Sequence, residues 1–107
     1  MFKKLLAMAF AIITVATLGF ANPALADGAA TFSANCAACH SGGGNAINPA
    51  ATLSKADLKK NGKDSLEAII YQVTNGKAPM PAFGGRLTDD QIKEVATYVL
   101  SQADAGW

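Results

Sequence analysis

Five residues in the first half of this 107-residue chain, Cys36-Ala37-Ala38-Cys39-His40, form a C-x-x-C-H motif. This spacing is the attachment signal for c-type haem. Two cysteines three positions apart on a helical turn reach the haem vinyl groups and form thioethers, while the adjacent histidine points a ring nitrogen at the iron. The motif predicts one covalently bound haem c, with Cys36 and Cys39 as thioether partners and His40 as the proximal iron ligand.

Three other chemistries also use closely spaced cysteines. A thioredoxin-like redox pair needs a strand–helix–strand context, which the sequence around Cys36 does not show. A structural zinc site needs four ligands, and the chain offers two cysteines and one histidine besides carboxylates. A disulfide between Cys36 and Cys39 is open to an exported protein, but it gives the adjacent His40 no role.

The N-terminal residues show the three regions of a secretory signal peptide. A basic start at Met1–Lys4 precedes an uncharged, mostly apolar run at Leu5–Phe20 and an A-x-A cleavage signal at Ala24–Ala26. A membrane-spanning helix needs roughly 20 apolar residues. Since this run is shorter, no membrane anchor is expected. We expect residues 1–26 to be a cleaved signal peptide and residues 27–107 to form the exported cytochrome c domain.

The charged residues argue against a polyanionic partner. The chain has nine basic and eight acidic residues, and loss of Lys3 and Lys4 with the leader leaves seven basic ones. No basic run or stripe is present, so we expect no nucleic-acid partner. A mature domain of roughly 80 residues needs additional stabilisation, which the apolar surface of a buried haem supplies.

Met80 is the candidate for the second axial ligand of the iron. It is the one methionine that follows the predicted leader, and Pro79 and Pro81 flank it. A thioether is a soft, neutral ligand, and His/Met ligation raises the reduction potential. The alternative is that Met80 fills a gap in the core. An iron with both axial positions filled favours electron transfer over catalysis, so we expect an electron carrier and not an enzyme.

Periodicity and capping residues predict an all-α domain. A first helix is expected from about Gly28 toward Cys39, ended by the glycine run at 41–45, and a short helical turn is expected at Lys55–Lys60. The next helix has Asp64 or Ser65 as its cap and closes at Asn75-Gly76. The last begins with the capping-box sequence Thr88-Asp89-Asp90-Gln91 and continues with apolar residues spaced three and four apart.

Three segments of the chain resemble the cytochrome c6 family. They are Phe32–His40, the loop Met80–Leu87, and the ending Val95–Gln102 with Gly106-Trp107. The likeness covers nearly the whole mature chain, and the loop and the ending are more specific than C-x-x-C-H alone. The related cytochrome c6A carries an insertion with two further cysteines, and this sequence does not have them.

The resemblance implies a class I cytochrome c fold, in which about four helices wrap around one covalently attached haem. It implies electron transfer from the cytochrome b6f complex to photosystem I in the thylakoid lumen, by a monomer. A terminal oxidase is a further partner in some cyanobacterial members, where the periplasm is a second location. It also implies that Gln72 lies near the haem and that Arg86 helps docking at the photosystem.

Two different functions remain open from the residues alone. A c-type cytochrome of a periplasmic respiratory chain would share every chemical argument made for His40 and Met80. A peroxidase-like haem enzyme would need an open sixth position and usually a distal base, and the chain has no second histidine.

Overall fold

The computed structural model describes residues 23–107, which form an all-α arrangement. The predicted signal peptide lies mostly outside these residues. The helices are α1 (Pro23–Asn35), α2 (Ala37–His40), α3 (Lys55–Lys60), α4 (Leu66–Asn75) and α5 (Asp89–Ala105), with a 3₁₀ turn at Ser41–Gly43. No β-strand is present within the described part, and isolated bridges join Lys77 to Met80 and Gly84 to Leu87. The all-α prediction is confirmed.

The predicted first helix differs from the structure in two ways. It begins earlier, at Pro23, because proline is tolerated in the first turn of a helix. It also breaks at Cys36, whose φ of −118° departs from the helical value near −63°. The Cys36 N–H still donates to the Phe32 carbonyl (2.8 Å), and its own carbonyl accepts from the His40 N–H (2.9 Å). The chain therefore changes direction at the motif while its backbone groups stay paired.

The predicted caps of the later helices are confirmed. Ser65 accepts a hydrogen bond from the Ala68 N–H and begins α4. Thr88 and Gln91 bond each other reciprocally at the start of α5, as the capping box requires. The short helix at Lys55–Lys60 is also present.

Helix α5 provides half of the buried core. Its buried residues contact the inner faces of α1, α3 and α4, together with Phe83 from the loop before α5. The apolar cluster consists of Phe32, Leu58, Ile69, Val73, Phe83, Ile92, Val95, Ala96, Val99 and Ala103. Helices α1 and α5 meet at Gly28, where a Cβ would lie 2.8 Å from the Cβ of Tyr98. A glycine is needed there because the two helices approach so closely.

Candidate haem-binding site

The C-x-x-C-H residues lie on the single turn formed by Cys36 and α2. Both cysteines are free thiols; Cys36 is half-buried against the core and Cys39 is exposed. Burial raises the pKa of the Cys36 thiol to about 11, because desolvation disfavours the thiolate. The Cys36 position therefore suits an uncharged sulfur, and a thioether is one.

The imidazole of His40 is oriented by the backbone that follows it. Its Nδ1 lies 2.7 Å from the Gly44 carbonyl oxygen, and since a carbonyl can only accept, Nδ1 donates. This bond fixes the tautomer and leaves Nε2 as the nitrogen for a metal. The chain turns back through Gly42 (φ +64°) and Gly43 (φ +79°), a left-handed conformation that favours glycine. The glycine run thus brings the Gly44 carbonyl to the ring.

Met80 occupies a tight backbone turn in the loop between α4 and α5. The N–H of Met80 donates to the Lys77 carbonyl (2.7 Å), and the N–H of Lys77 donates to the Met80 carbonyl (3.1 Å). The side chain is half-buried against the apolar cluster. Gln72 on α4 donates from Nε2 to the thioether sulfur, with the two atoms 3.5 Å apart. The structure thus brings Gln72 and Met80 together.

The loop that carries Met80 is attached to the carboxyl end of α4. Helix ends leave their last four carbonyls without helical partners. Here the Val73 carbonyl accepts from the Phe83 N–H (2.9 Å), and the Thr74 carbonyl accepts from the Gly84 N–H (3.0 Å). The loop therefore pairs the free carbonyls at the end of α4. Met80 lies between the end of this helix and the hydrogen-bonded residues Phe83 and Gly84.

Arg86 lies at the end of the same loop. Its guanidinium carbon stands 5.0 Å from the ring centroid of Phe83, a cation–π contact with a buried core residue. The side chain is exposed, and it forms no ion pair with another residue of the 23–107 range. Its positive charge is therefore held in place and remains available to solvent.

These residues fit haem c by the chemistry of their donors. Two thiols, an imidazole nitrogen and a thioether sulfur are the groups that attach haem and fill both axial positions. The structure brings Cys36 and Met80 to the same apolar cluster. His40 and Met80 are held separately, His40 by the Gly44 carbonyl and Met80 by Gln72. The zinc alternative finds no support in the described part of the chain, where no three metal-binding side chains of the His, Cys, Asp or Glu type come together.

Sequence reasoning missed the residues that orient the predicted ligands. Gly44 is the acceptor for His40, yet its glycine run was interpreted only as a helix terminator. Gly76 adopts φ +66° beside the Met80 loop, and its role there was not predicted. A glycine run immediately after the motif histidine is a signal that could have identified Gly44.

Known proteins match this chain over nearly its whole length. Residues 23–99 match the family described as cytochrome C oxidase, cbb3-type, subunit III. Cytochrome c6 of Rippkaea orientalis is 57% identical over an alignment of 109 positions that covers 98% of each chain. Cytochrome c6 of Microcystis aeruginosa is 63% identical over 81 residues, which are 76% of this chain and 100% of the relative.

A solved structure shows the same architecture. The crystal structure of cytochrome c6 from the diatom Phaeodactylum tricornutum superimposes with a TM-score of 0.75 at 53% identity, covering 78% of this chain and 98% of that one. Within residues 23–107, no helix combines the length and apolar character needed to cross a membrane.

Proposed function

The chain belongs to the cytochrome c6 family, and from this premise we propose that it carries single electrons from the cytochrome b6f complex to photosystem I. Membership establishes the all-α class I cytochrome c fold and one covalently bound haem c. It also establishes an electron-transfer protein of photosynthesis and not an enzyme. The partners, the iron ligands and the location are the parts that we propose.

The observation that carries the proposal is that hydrogen bonds restrain the two candidate iron ligands, the imidazole of His40 and the loop residue Met80. Nδ1 of His40 is held by the Gly44 carbonyl, and the backbone of Met80 lies in a turn closed by two backbone hydrogen bonds. Haem c supplies the one-electron couple of its iron when these two residues bind it and Cys36 and Cys39 attach it. Because the Gly44 carbonyl holds the His40 ring and backbone hydrogen bonds hold the Met80 turn, these two ligands would shift little on a change of oxidation state, which favours fast electron transfer.

Gln72 has a secondary role in this arrangement. Its amide donates toward the sulfur of Met80, which restrains the thioether and places a dipole beside it. Thioether sulfur is a weak acceptor, so this contact orients the side chain more than it stabilises the fold.

Arg86 is proposed as a docking residue for photosystem I. The contact with Phe83 holds the guanidinium at the edge of the Met80 loop, and its charge is not neutralised by a neighbouring carboxylate in the described region. A fixed exposed charge steers association and makes the rate depend on ionic strength. A carrier must also leave quickly, so the complex is expected to be small and short-lived.

The test is flash-induced re-reduction of photosystem I by the purified, haem-loaded protein. The proposal expects fast, saturable re-reduction that changes with salt and is slowed by Arg86→Gln. Lys59→Gln is the matched control, since it removes one positive charge from α3 and leaves the Met80 loop intact. Absence of re-reduction in the wild type would refute the photosynthetic partner, and equal slowing by both variants would refute the specific role of Arg86.

A terminal oxidase is a second candidate acceptor. The matching family is described as cytochrome C oxidase, cbb3-type, subunit III, which makes an oxidase a second acceptor to test. Oxygen consumption by isolated oxidase-containing membranes, supplied with the reduced protein, tests this partner. Turnover of the oxidase without photosystem I re-reduction would replace the first candidate by the second.

The location follows from the N-terminal sequence. We propose that residues 1–26 are removed as a signal peptide, that residues 27–107 form the cytochrome c domain, and that the mature protein resides in the thylakoid lumen, with the periplasm as a second location. The length of the Microcystis relative supports a leader of this size, since its whole length aligns over 81 positions and 81 residues follow Ala26. N-terminal sequencing of the purified protein should begin at Asp27, and a start at Met1 would refute cleavage.

A further inference from the structure

Trp107 lies directly after α5, far in sequence from the haem motif, and none of the roles assigned above uses it. Helix α5 ends at Ala105 and is capped by Gly106 (φ +88°) in a Schellman motif. The Trp107 N–H donates to the Gln102 carbonyl (2.8 Å), and the Gly106 N–H donates to the Ala103 carbonyl (3.2 Å). These bonds hold the backbone of Trp107 at a defined position relative to the core helix.

The indole ring of Trp107 covers the turn that follows His40. A Cβ on Gly43 would lie 2.6 Å from Cδ1 of the ring and closer still to Cγ and Cδ2. Gly43 is buried, and its left-handed φ of +79° also favours glycine. The backbone of Gly43 therefore packs directly on the face of the indole.

Hydrogen bonds also connect Trp107 to Gly43 by way of Leu53. The indole Nε1–H of Trp107 donates to the Leu53 carbonyl (2.8 Å), and the Leu53 N–H donates to the Gly43 carbonyl (2.8 Å). Leu53 thus links the ring to the turn from a second side. The rings of Phe32 and Tyr98 complete the setting, with centroids 5.4 Å and 6.1 Å from the indole.

From these contacts we infer that Trp107 is a positioning residue for His40. Gly43 is bonded covalently to Gly44, whose carbonyl accepts the hydrogen bond from Nδ1 of His40 (2.7 Å). By fixing Gly43 from its face and through Leu53, the indole fixes the direction of the Gly44 carbonyl and hence the rotation of the imidazole. The inference rests on the proposed function in one respect, that His40 is the iron ligand.

A hydrogen bond donated by the ring nitrogen that does not bind the metal orients a ligating histidine and raises its basicity. If the Gly44 carbonyl moves, this bond weakens and the imidazole becomes a poorer donor to the metal. The ferric state then loses stabilisation, so the midpoint potential rises. Trp107 therefore acts on the electronic properties of the site without touching it.

The test measures hydrogen exchange at Nδ1 of His40 by NMR in the reduced, haem-loaded protein. The exchange rate is divided by that of the Val95 amide, a buried α5 residue that reports global unfolding. In Trp107→Ala this ratio should rise at least about tenfold, which corresponds to about 1.4 kcal/mol of lost local protection. Trp107→Phe retains a ring against Gly43 and loses the donor to Leu53, so its ratio should rise less.

Ile92→Ala is the matched control, because Ile92 is buried in the first turn of α5 and lies about 20 Å along the helix axis from Ala105, the last residue of α5. It lowers global stability without reaching the turn, so neither its ratio nor its midpoint potential should rise. The two Trp107 variants should raise the potential in the order Phe, then Ala.

Two results overturn the inference and separate it from the proposed function. An unchanged ratio in both Trp107 variants, or an equal rise in Ile92→Ala, refutes the positioning role while His40 remains the ligand. A wild-type His40 ring resonance without a haem-induced shift refutes the ligand assignment, and with it both the proposed function and the inference.

Discussion

Replacement of Gly76 by alanine should release Met80 from its predicted place on the iron. Gly76 follows α4 with φ +66° and ψ 179°, a region that is almost restricted to glycine. A Cβ there would lie 2.6 Å from the carbonyl carbon of Pro81 and 2.7 Å from both the Ala82 nitrogen and the Met80 carbonyl oxygen. All three contacts are backbone atoms of the Met80 loop, so no side-chain rotation can relieve them.

The expected cost has two parts. Holding a non-glycine residue in this backbone region costs about 1–3 kcal/mol. Forcing a methyl group into a packed position costs about another 1–3 kcal/mol. A domain of this size has a total stability of about 4–12 kcal/mol, so the sum does not have to unfold the whole molecule. Displacement of the loop is the cheaper response, because it relieves the contacts while the α1–α5 core is preserved.

Gly62→Ala is the matched control for this substitution. Gly62 also has a positive φ of +68°, but a Cβ there would meet no atom within 4 Å. It carries a backbone cost of about 1–2 kcal/mol without the contact cost. The difference between the two variants therefore reports the contacts of Gly76 with the Met80 loop together with any difference in backbone strain between the two positions.

The assay combines denaturant unfolding of the haem-loaded protein with the ferric absorption band that reports thioether ligation of the iron. Gly76→Ala should lose this band, or lose about 1–3 kcal/mol more stability than Gly62→Ala. If Gly76→Ala keeps the band and matches Gly62→Ala in stability, the loop does not depend on Gly76 and the reasoning is refuted.

Three further predictions concern the second ligand, a helix cap and a loop carboxylate. Met80→Ala should lower the midpoint potential and let added imidazole bind the iron in optical titrations, because a neutral thioether ligand is lost; an unchanged potential would contradict Met80 as ligand. Thr88→Ala removes the oxygen that accepts from the Gln91 N–H (3.1 Å), so the free energy of unfolding in denaturant should fall by about 1 kcal/mol, and an unchanged midpoint would contradict the cap. Hydrogen bonds from the Thr52 hydroxyl (2.6 Å) and N–H hold the pKa of Asp57 below its ordinary value. Asp57 thus contributes stability above the unfolded-state pKa of about 3.9 that is lost as the pH falls through the lower folded-state pKa. Asp57→Asn should therefore be less stable than wild type at neutral pH, with the gap closing in acid; a gap independent of pH would contradict the ionic role.

The later helices were predictable because their signals are local. A capping box needs only Thr88 and Gln91, three residues apart, and the apolar stripe of α5 repeats within every turn. Ser65 similarly begins α4 with a bond that spans three residues. Residues within the same helix form these stabilising contacts, so they can be predicted without knowing the surrounding structure.

The break at Cys36 has no comparable local signal. The residues around it, Ala37 and Ala38, are strong helix formers and favour continuation of α1. The change of direction is visible only in the φ of Cys36, with its backbone groups still paired. Propensity therefore predicts a continuous helix where the structure has two.

The candidate site divides in the same way. The C-x-x-C-H spacing and the placement of Met80 between two prolines predict the donor atoms from short stretches of sequence. The groups that orient those atoms depend on contacts between distant residues, such as the bond from Trp107 to Leu53, which are 54 positions apart. No periodicity or spacing encodes such a pairing, so sequence reasoning predicted the donors and missed the groups that orient them.

Backbone carbonyls orient His40 and secure the loop that carries Met80, while Gln72 restrains the Met80 sulfur. The Gly44 carbonyl orients His40, while the orphan carbonyls of Val73 and Thr74 secure the loop that carries Met80. Backbone groups lose no rotamer entropy on ordering, whereas a long polar side chain in the same role would lose about 1.5–2 kcal/mol. This smaller entropy loss matters in a small domain whose apolar cluster has ten buried residues. It follows that substitutions at glycines beside the ligands, which alter backbone direction, should disturb the site more than substitutions of most side chains around it.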